Sequence, residues 1–126
     1  IMNMMVFETS VSQVFDQQAR FLKLLAHPAR LAILDVLRQD EACVCHLEAV
    51  LGLRQAYISQ QLALLREGGL IEDRREGWNV YYRVSDPRIF DLLDMLRNIK
   101  AEDAPDIRYE NRQCPCPKCN GVMYPL

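Results

Sequence analysis

The sequence predicts a mainly α-helical domain of five helices, with one small β-hairpin between the fourth helix and the fifth. Three observations support this fold class. Apolar residues recur every three or four positions in five separate segments, which is the period of an amphipathic helix. Glycine or proline separates most of these segments. A single run, Val80-Tyr81-Tyr82-Arg83-Val84, alternates with the period of a strand instead.

The first two helices meet at His27-Pro28. Proline is tolerated in the first turn of a helix and disfavours helix in the residue before it, so one helix ends here and another begins. The first helix carries an apolar stripe of Val11, Val14, Phe15, Leu22 and Leu25. The second is apolar on two faces, which predicts a central, buried position. Its apolar residues are Ala29, Leu31, Ile33, Leu34, Val36 and Leu37.

Two short helices follow, joined by a turn in which Gly52 is placed as a C-cap. Their apolar faces are Val44, Leu47 and Leu51 in the third helix, and Ile58, Leu62 and Leu65 in the fourth. Two such helices around a tight turn with glycine are the outline of a helix-turn-helix.

The hairpin pairs Leu70-Ile71 with the run that ends at Val84, with Glu72 to Glu76 and Gly77 as its polar tip, and so predicts a wing. Asp86-Pro87 then caps and begins an amphipathic fifth helix. Its apolar residues are Ile89, Leu92, Leu93, Leu96 and Ile99. The stripes of the first and fifth helices exceed what a small core needs. A homodimer through these two helices would cover them, and ordinary burial in the core is the alternative.

We divide the 126 residues into a domain over 1–100 and a Cys- and Pro-rich tail over 101–126. The formal net charge of −2 gives no global attraction to nucleic acid, so affinity for DNA would come from a local basic face. The chain lacks a phosphate-binding glycine loop, a Ser/His/Asp arrangement and a βαβ pattern, so we expect no enzyme and no small organic substrate. Without a secretion signal or an apolar stretch of roughly 20 residues, we expect a cytoplasmic protein with no membrane partner.

All five cysteines lie in two clusters. These are Cys43 and Cys45 at the start of the third helix, and Cys114, Cys116 and Cys119 in the tail. In a reducing cytosol such thiols are more often metal ligands or redox groups than disulfides. Three thiolates suit As(III), whereas four suit Zn(II) or Cd(II), and Pb(II) is a further candidate.

Residues i and i+2 of a regular helix point to nearly opposite sides, so Cys43 and Cys45 would share an ion only if the helix start bends. Asp40 or Glu41 is placed to cap this turn, and a helix N-terminus favours the thiolate. Capture of an ion would distort the helix-turn-helix and release DNA. Either the tail cysteines, of the same or the other subunit, join Cys43 and Cys45 in one site, which we favour, or they form a separate zinc knuckle while Cys43 and Cys45 sense alone or form a redox pair. Structural or inert thiols are the remaining alternative. His46 is interpreted as a surface residue and His27 as a capping group.

Polar side chains of the fourth helix and of the wing are the candidates for contact with DNA. Amide side chains pair with adenine edges in the major groove, and the wing would touch phosphates or the minor groove. The candidates are Gln55, Tyr57, Ser59, Gln60 and Gln61 on the helix, and Arg74, Arg75 and Asn79 on the wing. Trp78 and the neighbouring tyrosines are interpreted as hairpin packing.

Four segments resemble the ArsR/SmtB-type winged helix-turn-helix repressors, in the same order along the chain. They are the second-helix segment Leu24 to Leu34, the thiol-bearing segment Cys43 to Leu47, the recognition helix and exit Ile58 to Ile71, and the wing Arg74 to Arg83. The resemblance covers residues from about 20 to 100 and implies a homodimeric, cytoplasmic repressor that leaves operator DNA when an inducer binds.

Two features depart from the family. The recognition helix usually opens with a serine cap, and here Arg54-Gln55-Ala56-Tyr57 occupies that turn, where Arg54 and Tyr57 would contact phosphate and base. The fifth helix contains no histidine, so the inter-subunit metal site of the family is not expected. We therefore expect a repressor that releases DNA when a thiophilic metal or metalloid binds the cysteines. The alternatives are a thiol-redox-responsive repressor and a protein-interaction module with a structural zinc tail.

Overall fold

Five helices and three short strands follow one another in the computed structural model, which describes residues 9–99 together with Cys114 and Lys118. In chain order they are α1 (Thr9–Leu25), α2 (Pro28–Leu37), β1 (Ala42–Cys43), α3 (Val44–Leu51), α4 (Gln55–Glu67), β2 (Ile71–Glu76), β3 (Asn79–Val84) and α5 (Arg88–Ile99). This order confirms the five predicted helices and the hairpin before the last of them. The division into a domain over 1–100 and a tail over 101–126 stays a prediction.

The strands form one antiparallel sheet in the order β1-β3-β2. Strand β1 corrects the prediction, which places Cys43 at the start of a helix; two residues are too few to show the alternation of a strand. Cys43 lies opposite Tyr81, and Tyr81 lies opposite Arg74 on its other side. Directly paired residues share a face of a sheet, so these three define what we call the outer face.

The predicted tip of the wing, Glu72 to Glu76, belongs instead to strand β2. Its side chains are exposed at the edge of the sheet, where charges discourage pairing with another chain. The turn is reduced to Gly77 and Trp78, and Gly77 has a φ of 63°, in the left-handed region that suits glycine. Trp78 is 101% exposed, so the prediction that it packs within the hairpin is wrong, whereas Tyr81 is buried.

The core lies between the helices and the inner face of the sheet. Its least exposed side chains are Ile33, Leu34, Leu47, Ile58, Leu62, Leu65 and Ile71. Helix α2 supplies two of them from its two apolar faces, which confirms its central position. Removal of these side chains from water is the main force that holds α3 and α4 against α2 and the sheet.

Apolar side chains on α1 and α5 are exposed in the single chain. They are Val11, Val14, Phe15, Phe21 and Leu22 on α1, and Met95, Leu96 and Ile99 on α5. An exposed apolar stripe of this kind marks a surface that packs against a partner. None of the described helices is long and apolar enough to cross a membrane.

The turn between α3 and α4 depends on Gly52. Its φ is 69° and its N–H donates to the Glu48 carbonyl at 2.9 Å, which confirms the predicted C-cap. An added β-carbon would meet nothing within 4 Å, so a substitution tests backbone conformation alone. We expect Gly52→Ala to lower the free energy of unfolding, measured in urea, by about 1 kcal/mol because left-handed backbone strains an L-residue. Gly52→Asn should lose less, and equal losses would contradict this explanation.

Candidate metal centre and nucleic-acid interface

Three cysteine sulfurs meet at the start of α3. The Sγ atom of Cys43 lies 2.7 Å from that of Cys45 and 3.8 Å from that of Cys114, and the Sγ atoms of Cys45 and Cys114 are 3.0 Å apart. Cys43 and Cys114 are 71 positions apart in the sequence, so Cys114 meets the helix-turn-helix across a long separation along the chain. The other two predicted ligands, Cys116 and Cys119, lie outside the described residues.

The backbone of Cys43 explains how two sulfurs at positions i and i+2 come together. Cys43 ends strand β1 in an extended conformation (φ −87°, ψ 168°) and is the N-cap of α3, whereas Cys45 lies in the first helical turn. This change of direction replaces the bent helix that the prediction required. The Cys43 sulfur accepts the N–H of His46 at 3.3 Å. The prediction that Asp40 or Glu41 caps this helix is therefore wrong.

The spacing of the sulfurs suits one thiophilic ion. A zinc–sulfur bond is about 2.3 Å long, so two sulfurs on one tetrahedral ion lie about 3.8 Å apart. The three observed separations, 2.7, 3.0 and 3.8 Å, need to open by about 1 Å at most. Soft thiolates are the ligands that such ions prefer. This set could hold a three-coordinate ion such as As(III), whereas Zn(II) or Cd(II) would need a fourth ligand.

The sulfurs belong to a small cluster of their own on the outer face of the sheet. Cys43 is 4% exposed, Cys114 is 2% exposed and Tyr81 is 2% exposed, and Cys45 and Ala49 pack against them. The cluster is separate from the main core, which contains Leu47 of the same helix. Because Cys45 is only partly buried, an ion has an approach to the site from solvent.

Glu41 connects the tail to the wing beside this cluster. Arg74 donates its Nε–H toward both Glu41 carboxylate oxygens, at 3.1 and 2.9 Å, and the Lys118 ammonium lies 3.2 Å from Oε1. The hydrogen bond from Arg74, reinforced by that from Lys118, lowers the pKa of Glu41 to about 2. Arg74 and Lys118 also lie over the Tyr81 ring, 4.8 and 5.7 Å from its centre. The carboxylate is thus charged at neutral pH and holds both cations.

The two histidines have different surroundings. His27 caps α2, as predicted, because its Nδ1 accepts the N–H of Ala29 at 3.2 Å. Its Nε2 lies 3.3 Å from the Tyr57 hydroxyl, which links α2 to the start of α4. His46 is half-buried rather than on the surface, and burial, with the nearby Lys118 charge, lowers the pKa of its ring.

Helix α4 exposes most of the predicted DNA contacts. Arg54 forms its N-cap without a side-chain hydrogen bond, as expected from the missing serine. The exposed candidates are Arg54, Gln55, Tyr57, Ser59 and Gln60. Gln61 is only 6% exposed because it follows Ile58 by one helical turn and so lies on the buried side. A buried side chain does not reach a base edge, so Gln61 leaves the set of candidate contacts.

The two wing arginines lie on opposite faces of strand β2. Arg74 is on the outer face, held by Glu41 and by Glu76, with 3.2 Å between Arg74 Nη1 and the Glu76 carboxylate. Arg75 is exposed and forms no ion pair with any residue that the structure describes. Asn79 is partly exposed at the start of β3. Of the wing candidates, Arg75 is therefore better placed than Arg74 to meet a phosphate.

Three features of the site were not predicted. Lys118 stands between two cysteines of the tail, but no pattern in the sequence pairs it with Asp40 or Glu41. Trp78 is exposed because it lies in a two-residue turn between β2 and β3. The charged residues before it made the predicted tip too long and hid this turn. The sequence offers three tail cysteines and does not indicate which of them lies beside Cys43 and Cys45; in the structure it is Cys114.

Comparison with known proteins identifies relatives of the whole helix-turn-helix. The bacterial regulatory protein family named arsR matches residues 27–73. The biofilm growth-associated repressor of Agrobacterium fabrum is 45% identical over 78 residues, which are 62% of this chain and 67% of the relative. A transcriptional repressor SmtB homolog of Synechocystis is 40% identical over 77 residues, 61% of this chain and 58% of the relative. The chain thus spans less than two thirds of the Synechocystis protein.

A solved structure extends the similarity to the fold. The homodimeric winged helix-turn-helix DNA-binding domain of a Mycobacterium bovis regulator, determined by solution NMR, matches with a TM-score of 0.66 and 35% identity. The match covers 77% of this chain and 93% of the Mycobacterium bovis domain, so it includes both the helices and the wing. The sulfur cluster, by contrast, also requires the tail residue Cys114.

Proposed function

The chain belongs to the ArsR family of DNA-binding bacterial regulatory proteins, and from this premise we propose that it is a repressor controlled by its cysteines. It binds operator DNA as a homodimer and releases it when a thiophilic metal or metalloid ion binds Cys43, Cys45 and Cys114. As a bacterial regulator that binds DNA, it would act in the cytoplasm. The observation that carries the proposal is the meeting of three sulfurs from two distant segments at the start of the helix-turn-helix.

The proposed coupling begins at the N-terminus of α3. When Cys43, Cys45 and Cys114 share one ion, their sulfurs must move from separations of 2.7 to 3.8 Å toward an even triangle. Cys43 then gives up the geometry in which it caps α3. Leu47 of α3 and Ile58 of α4 are both fully buried in one core, so a shift of α3 is passed to α4. The DNA-facing side of α4 leaves its place in the major groove.

The ion that fits three sulfurs without a further ligand is As(III). Pb(II) is a further candidate, and Cd(II) and Zn(II) remain candidates if Cys116 or Cys119 adds a thiolate. We propose Arg54, Gln55, Tyr57, Ser59 and Gln60 as major-groove contacts, with Arg75, Asn79 and Trp78 on the wing. A two-fold dimer through α1 and α5 would present two such surfaces to a palindromic operator, one helical turn of DNA apart.

A redox switch is the second candidate function, favoured by the 2.7 Å separation of the Cys43 and Cys45 sulfurs. Peroxide would take two electrons and two protons from these thiols, which would form a disulfide while the peroxide becomes two waters. The new bond would also remove the sulfur cap of α3. A reductant reverses this release, whereas a metal chelator leaves it unchanged.

The test is fluorescence anisotropy of the reduced protein on DNA from upstream of its own gene. Arsenite, Cd(II), Zn(II) or peroxide is added in separate titrations to the wild-type protein and to Cys43→Ser/Cys45→Ser. We expect specific binding that arsenite abolishes only when both thiols are present. Binding that is indifferent to every ion but lost with peroxide would select the redox switch. Binding that is indifferent to all additions would overturn both functions.

Trp78 offers a separate prediction because it is the only tryptophan of the chain and is fully exposed at the wing turn. An exposed aromatic ring on the same wing as the exposed Arg75 is suited to stack on a base or sugar in the minor groove. We expect operator DNA to change the tryptophan fluorescence, and Trp78→Ala to weaken binding by about 10-fold, as stacking of about 1–3 kcal/mol implies.

The matched control for Trp78 is Arg75→Gln, which removes a charge from the same wing. Loss of one phosphate contact lowers the slope of log affinity against log salt by about one, whereas loss of an aromatic contact leaves the slope unchanged. Two results together would show that Trp78 is not part of the interface. They are an operator affinity of Trp78→Ala equal to that of the wild-type protein, and a wild-type tryptophan fluorescence that does not change when DNA is added.

A further inference from the structure

Lys118, four residues beyond Cys114, lies against the loop between α2 and β1. Its ammonium is 3.0 Å from the Asp40 carboxylate, 3.2 Å from the Glu41 carboxylate and 3.4 Å from the Glu41 carbonyl oxygen. The side chain is 20% exposed, so this lysine is more buried than a freely solvated surface lysine. One cation of the tail thus meets three oxygens of a loop that ends beside Cys43.

The Tyr81 ring completes this contact. It lies beneath the Lys118 ammonium at 5.7 Å and belongs to the same buried cluster as Cys43 and Cys114. A cation over an aromatic ring gains from the negative face of the ring, and more so where water is partly excluded. Asp40, Glu41 and the Tyr81 ring therefore form a binding site for a cation beside the cysteine sulfurs.

We infer that Asp40, Glu41 and Tyr81 form a docking site for the tail, and that Lys118 is the positioning residue that holds Cys114 beside Cys43 and Cys45. The docking does not require an ion. Only its consequence for ion affinity rests on the proposed function.

The short distance along the chain between Cys114 and Lys118 explains why this lysine can position the Cys114 sulfur. Four residues span at most about 14 Å, so a docked Lys118 keeps the Cys114 sulfur close to the α3 thiols. A ligand held in this way acts at a high effective concentration, because the entropy of bringing Cys114 to the thiols of Cys43 and Cys45 is lost before the ion arrives. A free tail would lose that entropy at the moment of binding, and the affinity for the ion would fall.

Docking also reaches the wing, because the Glu41 carboxylate that receives Lys118 holds Arg74 of β2. The acids Asp40, Glu41 and Glu76 and the cations Arg74 and Lys118 form one group of five charges. Loss of Lys118 leaves Arg74 as the one cation of this group and increases its negative charge.

The docking is tested in the reduced, ion-free, full-length protein by the rate at which iodoacetamide alkylates Cys114, read by peptide mass spectrometry. We expect Lys118→Met to raise this rate at least about 5-fold because the buried sulfur becomes accessible. Lys118→Arg should restore slow alkylation, and Lys23→Met, which removes an exposed lysine of α1, should have no effect.

A loop-side variant, Asp40→Asn/Glu41→Gln, separates docking from local charge. Loss of a cation disfavours the reactive thiolate and loss of an anion favours it, so charge alone would move the two variants in opposite directions. Docking predicts faster alkylation in both. Opposite changes, or no change in Lys118→Met, would overturn the inference.

The consequence for the metal site is measured with Cd(II), by the absorption of its thiolate complex in competition with a chelator. We expect Lys118→Met to lower the affinity for Cd(II) by about 10-fold, although it removes no sulfur ligand. An unchanged affinity would show that docking does not position Cys114 for the ion. If the wild-type protein binds neither Cd(II) nor arsenite while Lys118→Met still accelerates alkylation, the docking stands and the proposed control by a metal ion fails.

Discussion

Replacement of Cys114 by serine is expected to lower the affinity of the protein for As(III) by at least about 100-fold and to leave operator binding without the ion unchanged. Structural zinc sites with four ligands bind their ion with roughly 10–16 kcal/mol, and a similar share for each ligand here is about 3 kcal/mol, which is a factor of about 100. Cys114 lies in the tail and not in the helix-turn-helix, so its loss does not alter the DNA-facing surface. The expected variant is a repressor that stays on its operator at arsenite concentrations that release the wild-type protein.

Two measurements check this result. Competition with a dithiol gives the affinity for arsenite, and anisotropy on the operator gives the arsenite concentration at half release. Cys119→Ser is the matched comparison, because a three-sulfur site formed by Cys43, Cys45 and Cys114 does not need it. An arsenite affinity that survives in Cys114→Ser but falls in Cys119→Ser would show that the third ligand is Cys119 and that its assignment to Cys114 is wrong.

A charged residue on each of the two exposed apolar stripes is expected to abolish the dimer. In the single chain Leu22 of α1 is 57% exposed and Leu96 of α5 is 47% exposed. Glutamate at both positions would be buried without a partner in a helix-packed interface, which is strongly unfavourable. We expect Leu22→Glu/Leu96→Glu to sediment as a monomer and to lose at least about 100-fold in operator affinity, because each monomer must then bind one half-site alone.

The control for the dimer variant is Leu64→Glu, which places the same charge at an apolar residue of α4 that is 42% exposed. It should remain dimeric, since α4 is not part of the proposed interface. Circular dichroism should show both variants folded. A double variant that still sediments as a dimer would refute the interface through α1 and α5.

The helices could be predicted from the sequence because each presents an apolar stripe with its own period. Ile58, Leu62 and Leu65, for example, are all buried as their spacing requires. Strand β1 could not be predicted, since its two residues carry no period and gain their pairing from β3, some 40 positions later. Gln61 could not be placed correctly for a related reason. The buried sector of α4 is wider than its apolar stripe, so a polar residue next to the stripe is predicted to be exposed although it is buried.

The cysteines were found by their clustering, but their arrangement needed the structure. On a regular helix Cys43 and Cys45 would diverge, and only the turn from β1 into α3 brings their sulfurs together. Cys114 joins them from 71 positions away, and Lys118 and Glu41 meet over a similar separation. Contacts between charged or sulfur side chains so far apart in sequence leave no periodic pattern, so a single sequence does not reveal them.

The cap of α3 by the Cys43 sulfur has a consequence for the genetics of such a repressor. Serine is among the preferred helix caps and alanine is not, so the two replacements should give different phenotypes although both delete the same ligand. A selection for cells that stay repressed in the presence of the inducer should recover Cys43→Ser and also replacements of Cys45 or Cys114, because these proteins still repress fully. Cys43→Ala removes the cap and weakens α3, which supports the recognition helix. Cells with this allele should lose repression together with the response to the inducer, so the selection should not recover them.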